Sequence, residues 1–209
     1  MICISIPEKN VETCLSLISK ADMAEIRIDL AELSAENVAY VFSKATKPLI
    51  ATCRPEKVAD SRRVELLKNA ITHGAAYVDI EIEASAEIKK ELITCAKAHD
   101  CKVIISYHNY ENTPSVKELQ AIIDSCFDEG ADIAKIATTA QNSSDSARIL
   151  GLYEQNSSLV ALAMGEEGKI TRVANVYLGA PFTFAAISEK QKTAPGQLTV
   201  EQIKQFLNL

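Results

Sequence analysis

Two residues in this chain have the type and setting for covalent and proton-transfer chemistry. Lys135 lies in Ala131-Asp-Ile-Ala-Lys135-Ile-Ala137, in the middle of an apolar stretch. Burying an ammonium is expensive, so a lysine there is expected to have a use. Desolvation lowers the pKa of an amine and frees its lone pair to attack a carbonyl. His108 closes the run Ile105-Ser-Tyr-His108. An imidazole titrates near neutral pH and suits a proton that must be both removed and returned. The remaining histidines, His73 and His99, stand in Thr-His73-Gly and Ala-His99-Asp at the ends of helical stretches. The helix dipole accounts for them there.

Other polar residues recur two apart. Glu25, Arg27 and Asp29 form one set, Thr52 and Arg54 a second, Asp79 and Glu81 a third, and Ser106 and His108 a fourth. Residues two apart on a strand share a face. Lys135 likewise stands opposite Ala134 and Ile136. Five strands would thus carry ionisable or polar groups on one face, at a cost that only pairing or ligand binding offsets. A buried ion-pair network without chemistry explains any single strand, but not five strands with a lysine and a histidine among them.

The elements that must hold these groups alternate along the chain. Strand-like runs are read at Ile2–Ile6, Ala24–Leu30, Pro48–Arg54, Tyr77–Ile82, Val103–His108, Ile133–Thr138, Leu159–Met164 and Phe182–Ile187. Helical periodicity is read at Glu8–Lys20, Ala35–Lys44, Ser61–Thr72, Ala86–Ala98, Val116–Glu129, Asp145–Gln155, Ile170–Tyr177 and Val200–Leu207. Ser34 and Thr199 are expected N-caps, and His73-Gly74 and Glu129-Gly130 expected C-terminal stops. Strict alternation implies a parallel sheet. An open sheet covered on both faces does not tolerate charged residues on one of them. Eight units and ~200 residues meet the lower limit of a (β/α)8 TIM barrel, whose active groups sit at the C-terminal ends of the strands. One domain over 1–209 is expected, since no linker divides the chain.

Composition narrows the function classes. The net charge is −6, with no basic cluster, so nucleic acid is not expected as a partner. An acidic surface repels anions at long range, and any anionic substrate must be captured by local arginines. The chain lacks the basic and apolar regions of a leader and any bilayer-spanning stretch, which points to the cytoplasm and away from membranes. The cysteines at 3, 14, 53, 95, 101 and 126 have neither Cys-x-x-Cys spacing nor a metal-spaced histidine, and are expected to be free and mostly buried.

Taken in order, Glu25-Ile-Arg27-Ile-Asp29, Thr52-Cys-Arg54, Val78-Asp79-Ile-Glu81, Ser106-Tyr-His108, Thr113-Pro114, Lys135-Ile-Ala137, Met164 before Gly165-Glu-Glu-Gly168, Arg172, Phe184 and Ala194-Pro-Gly-Gln197 resemble type I 3-dehydroquinate dehydratase. The resemblance implies a (β/α)8 barrel, a homodimer, and no metal or organic cofactor. It implies loss of water from 3-dehydroquinate, a step of the shikimate pathway, with Lys135 forming a Schiff base and His108 moving the proton. Arg172 would clamp the substrate carboxylate. Gln197 and Thr193 belong to a loop, Lys190–Gln197, that would close over it. Glu25, Arg27, Arg54 and Asp79 would serve the ring hydroxyls, and Met164 and Phe184 would form apolar walls. Compared with many members a short form without an N-terminal barrel plug is expected. The chain lacks the Glu-Gly-Gly that often follows the strand-three arginine, here Arg54-Pro-Glu-Lys-Val-Ala-Asp60, leaving Glu56 and Glu81 as alternative partners for His108.

Two other readings make different demands. A class I aldolase would keep the lysine but needs a phosphate site after the last strands, where Arg172 and Ala-Pro-Gly-Gln suit a carboxylate better. A non-catalytic binder would keep the arginines without needing Lys135 or His108.

Overall fold

The structure is a computed structural model that describes residues 1–208. The chain forms two compact units, Cys3–Ile104 and a second made of Met1–Ile2 with the chain from Ile105 onward.

The first unit alternates β1 (Ile2–Ile6), α1 (Val11–Ser19), β2 (Met23–Arg27), the short α2 (Ile28–Ala31), α3 (Ala35–Lys44), β3 (Leu49–Thr52), α4 (Asp60–Thr72), β4 (Tyr77–Glu81) and α5 (Ala86–Ala98). Its strands are parallel neighbours in chain order. Ser5 stands level with Glu25, Arg27 with Thr52, and Thr52 with Asp79. That register sets polar residues on two successive levels, Ser5 with Glu25 on one and Arg27, Thr52 and Asp79 on the next. The helices begin where the capping chemistry lies: Ser34 accepts from the Asn37 amide and Ser85 from the Ile88 amide. Gly74, at φ 102°, ends the chain's run through α4 in a conformation that favours glycine.

β5 (Lys102–Asn109) begins in the first unit and ends in the second, which continues with α6 (Val116–Asp128), β6 (Ile133–Thr139), α7 (Ser143–Gly151), β7 (Leu159–Met164), α8 (Thr171–Tyr177), β8 (Thr183–Ala186) and α9 (Val200–Leu207). β6 and β7 are parallel, with Lys135 level with Val160 and Thr139 with Met164. A core of Ile2, Val173, Ala185, Leu198 and Ile203 seats α8 and α9. Ser115 with Glu118 and Thr199 with Gln202 form reciprocal capping boxes at the starts of α6 and α9.

Besides shifts of element ends, such as α1 at Val11–Ser19 against the expected Glu8–Lys20, three differences change what an element holds. The strand expected over Ala24–Leu30 stops at Arg27, and the chain turns into α2. The turn buries Ile28, Asp29 and Ala31 and closes the Asp29 carboxylate onto Arg27, so Asp29 belongs to a helical turn rather than the strand face. The strand expected over Pro48–Arg54 ends at Thr52, which leaves Arg54 just beyond it. The helix expected over Asp145–Gln155 starts at Ser143, under an Asn142 cap, and gives way after Gly151 to a 3-10 turn at Leu152–Glu154.

Candidate active site

In the first unit the polar face is built from short, directed contacts. Glu25 on β2 is 4% exposed, and each of its carboxylate oxygens accepts a hydroxyl: Ser5 Oγ of β1 at 2.7 Å and Thr52 Oγ1 of β3 at 2.9 Å. Arg27 stands one level further along β2, beside Thr52, and is pinned by Asp29, its Nε at 3.0 Å and its Nη2 at 2.7 Å. This two-pronged pairing fixes the plane of the guanidinium.

Arg54 is buried between two carboxylates. Its Nη1 donates to Glu81 at 2.6 Å and its Nη2 to Asp79 at 3.0 Å. Burial works against its charge, but Asp79, Glu81 and Glu25 outweigh that cost and hold its pKa above the ordinary arginine value. For Arg27, burial again opposes the charge, and the bonds it donates to Asp29 with the fields of Glu25 and Asp29 prevail. Glu81 gives its other oxygen to Arg63 of α4, at 3.0 Å. Both oxygens of Glu81, one of the two carboxylates considered for His108, are therefore engaged by arginines. Glu56, the other, lies exposed in a turn. Arg63 and Ser5 did not stand out in the sequence, although Arg63 occupies the buried stripe Arg63, Leu66, Leu67, Ala70, Ile71 of its helix.

In the second unit Lys135 occupies the third position of β6 and is 5% exposed. Its Nζ lies 4.4 Å from the centre of the Phe184 ring of β8. A cation over a ring face is attracted to it, which fixes where the long side chain points. Phe182 meets Phe184 edge-on at 5.4 Å and holds that ring. His108 is near the end of β5, half-buried, with its ring stacked on Tyr110 at 6.2 Å between centres. Thr113, of the expected Thr113-Pro114 pair, bonds to Thr138 Oγ1 at 2.8 Å and ties the loop after β5 to the end of β6.

Arg172 on α8 is a different kind of arginine. It is 1% exposed, and its Nη2 donates to the Pro195 carbonyl at 3.2 Å. Its Nε has no hydrogen-bond partner among the described residues. Burial lowers its pKa from 12.5 to about 10. Beneath it Thr183 Oγ1 donates to the Arg172 carbonyl and anchors that turn of α8 to β8.

The loop from 188 to 197 is tied down at several points. Pro195 O also accepts from the Gly165 amide, directly after Met164 at the end of β7. Gly196 has φ 69°, and a Cβ there would collide with the Gly165 carbonyl. Gln197 is buried and folds its side-chain oxygen back onto Thr193, accepting from Thr193 N at 2.8 Å and Thr193 Oγ1 at 3.2 Å. Thus Met164, Arg172, Thr193 and Gln197 come together around one loop, and Lys135 and Phe184 form a second pair. Among the described residues, no group of three or more His, Cys, Asp or Glu is gathered as a metal ion would require. No helix among them is long and apolar enough to cross a membrane.

Comparison with known proteins covers the whole chain. Residues 2–209 match the family model for type I 3-dehydroquinase. The 3-dehydroquinate dehydratase of Methanococcus maripaludis strain C7 is 36% identical, over 100% of this chain and 99% of its own. That of Methanosarcina barkeri is 37% identical, over 90% and 85%. Among solved structures, type I 3-dehydroquinate dehydratase of Clostridium difficile has a TM-score of 0.86 at 26% identity, over 99% of this chain and 90% of its own. The Aquifex aeolicus 3-dehydroquinate dehydratase has a TM-score of 0.82 at 29% identity, with full coverage of both chains. These structures carry the (β/α)8 fold expected from the eight alternating units. Family model, relatives and fold agree: the chain belongs to the type I 3-dehydroquinase family.

Proposed function

We propose that this chain removes water from 3-dehydroquinate to give 3-dehydroshikimate through an imine on Lys135, with His108 as the proton carrier. The observation that carries the reading is the buried Lys135 amine held against the face of Phe184. The amine attacks the ring ketone, and loss of water from the adduct leaves an iminium. The iminium withdraws electrons from the neighbouring carbon, whose proton His108 takes. The electron pair released then expels the C1 hydroxyl, which leaves as water with the proton from His108. Hydrolysis of the new imine returns the lysine and the product, so one water is lost overall and no oxidant is needed.

Arg172 supports the choice of a carboxylic acid as substrate. A buried guanidinium whose pKa burial has lowered gains most from an anion. The Clostridium difficile relative was solved with covalent modified comenic acid, itself an acid. In this reading Gln197 and Thr193 close over the carboxylate, and Met164 and Phe184 are apolar walls. Glu25, Arg27 and Arg54 bind ring hydroxyls, with Asp79 holding Arg54. The reading also takes residues 1–209 as one catalytic domain, working as a homodimer in the cytoplasm without metal or organic cofactor.

The test is intact mass after 3-dehydroquinate and borohydride are added together, followed by peptide mapping. The expected result is one adduct of the dehydrated ligand on Lys135, absent from Lys135→Ala. Folded wild-type protein that gains no adduct would refute the imine for this substrate. An adduct accompanied by carbon–carbon cleavage products would favour an aldolase.

A further inference from the structure

We propose that Arg63 is a positioning residue that sets substrate affinity by holding Glu81, and through it Arg54. The proposal rests on the assignment of Arg54 to substrate binding. Arg63 stands in the first turn of α4, on the stripe it shares with Leu66, Leu67, Ala70 and Ile71, where packing alone would favour an apolar residue. It is 3% exposed. A buried cation at such a place requires a counter-charge, and Glu81 supplies it.

The geometry forms a chain of defined contacts. Arg63 Nη1 donates to Glu81 Oε2 at 3.0 Å, and Arg54 Nη1 donates to Glu81 Oε1 at 2.6 Å. One carboxylate thus fixes two guanidiniums, one oxygen each. Arg63 is steadied at its other end by Asp60, whose Oδ1 lies 3.3 Å from Nη2. Arg54 has a second carboxylate, Asp79, at 3.0 Å. Arg54 and Arg63 balance Asp79 and Glu81 in charge. Removing Arg63 leaves one net negative charge in a buried group and deprives Glu81 Oε2 of its donor. The Glu81 carboxylate is then no longer held at both oxygens and turns to recover a second bond. Arg54 keeps Asp79 but loses the fixed position of its Nη1. A hydroxyl bound by Arg54 would be lost about equally from ground and transition states, so the effect belongs in KM rather than kcat.

The experiment is steady-state kinetics with 3-dehydroquinate for Arg63→Met, Arg63→Lys, Glu81→Gln and the Arg63→Met/Glu81→Gln double variant, with thermal melting of each. The expected result is a KM raised about tenfold in Arg63→Met with kcat within about twofold, and a smaller rise in Arg63→Lys, which keeps the charge but not the fork. In the Glu81→Gln background, Arg63→Met should add little further, because the two act along one path. An unchanged KM in folded Arg63→Met, or additive effects in the double variant, would overturn the proposal. If Arg63→Met does not fold, Arg63→Lys decides, and an unchanged KM there overturns it. Wild-type protein that neither turns over 3-dehydroquinate nor traps it on Lys135 would instead refute the functional reading itself, so the two failures are distinct.

Discussion

Replacing Arg172 by methionine should make the protein more stable and less able to bind substrate. The guanidinium is 1% exposed, and burial lowers its pKa from 12.5 to about 10. That difference is worth roughly 3 kcal/mol at ~1.36 kcal/mol per unit. At pH 7 the group is charged in folded and unfolded chains alike, so the folded state carries the full cost. Methionine fills similar space without charge. It forfeits the bond to Pro195 O, worth about 1 kcal/mol. The net gain is about 2 kcal/mol, which for a chain of this size raises Tm by roughly 4–8 °C. The difference should narrow as pH rises above about 10, where wild-type Arg172 sheds its proton in the folded state before the unfolded chain does. Binding should move the other way. Losing a charged bond to a carboxylate costs about 2–3 kcal/mol, or roughly 30- to 150-fold in KM. Thermal unfolding at pH 7 and pH 11, with kinetics on 3-dehydroquinate, checks both. A variant that melts below wild type would refute the desolvation argument, and an unchanged KM would refute the carboxylate clamp.

Further outcomes follow from the same structure. Gly196→Ala should push the loop off Gly165, since Gly196 has φ 69° and its new Cβ meets the Gly165 carbonyl. We expect a loss of about 1–2 kcal/mol in stability from the strained backbone and a KM raised severalfold as Pro195 leaves Arg172. A variant with wild-type melting and kinetics would contradict the tie. Burial raises the thiol pKa of Cys14 and of Cys53 from 9.0 to about 12 in each case. Their contribution to stability is fully present below pH 9 and is lost as pH climbs toward 12, because the unfolded thiols ionise first. Chemical denaturation across that window should show the loss, and Cys14→Ala should flatten it. Equal slopes in variant and wild type would count against the burial of that thiol.

Much of this arrangement was legible because period and burial agree. Ala35–Lys44, Ala86–Ala98, Leu159–Met164 and Val200–Leu207 fall where apolar spacing and caps place them. Lys135 was legible because a lysine inside an apolar strand has no ordinary reason to be there. The early turn at Ile28 was not, because Ile-x-Leu continues the β pattern while the Arg27–Asp29 pair and the burial of Ala31 decide for a helical turn. Arg63 was missed for a related reason. An arginine on a helix is ordinarily read as a surface residue whose stem packs and whose head reaches water. Only the position of Glu81 shows that this one points inward. The loop before Gln197 looked merely turn-rich, since its ties run through the carbonyl of Pro195 and the amide of Gly165, which residue types do not announce.

The carboxylate of Glu25 spans three neighbouring strands, taking Ser5 Oγ from β1 and Thr52 Oγ1 from β3. Parallel strands can slip by one residue, and each slip turns every side chain to the opposite face. Slippage of β2 would carry Glu25 away from both hydroxyls and among the apolar side chains of the helices, at a cost of several kcal/mol. The same carboxylate proposed to meet a ring hydroxyl therefore also rejects misaligned strands while the chain is still assembling. Fidelity of folding and recognition of substrate then draw on one residue.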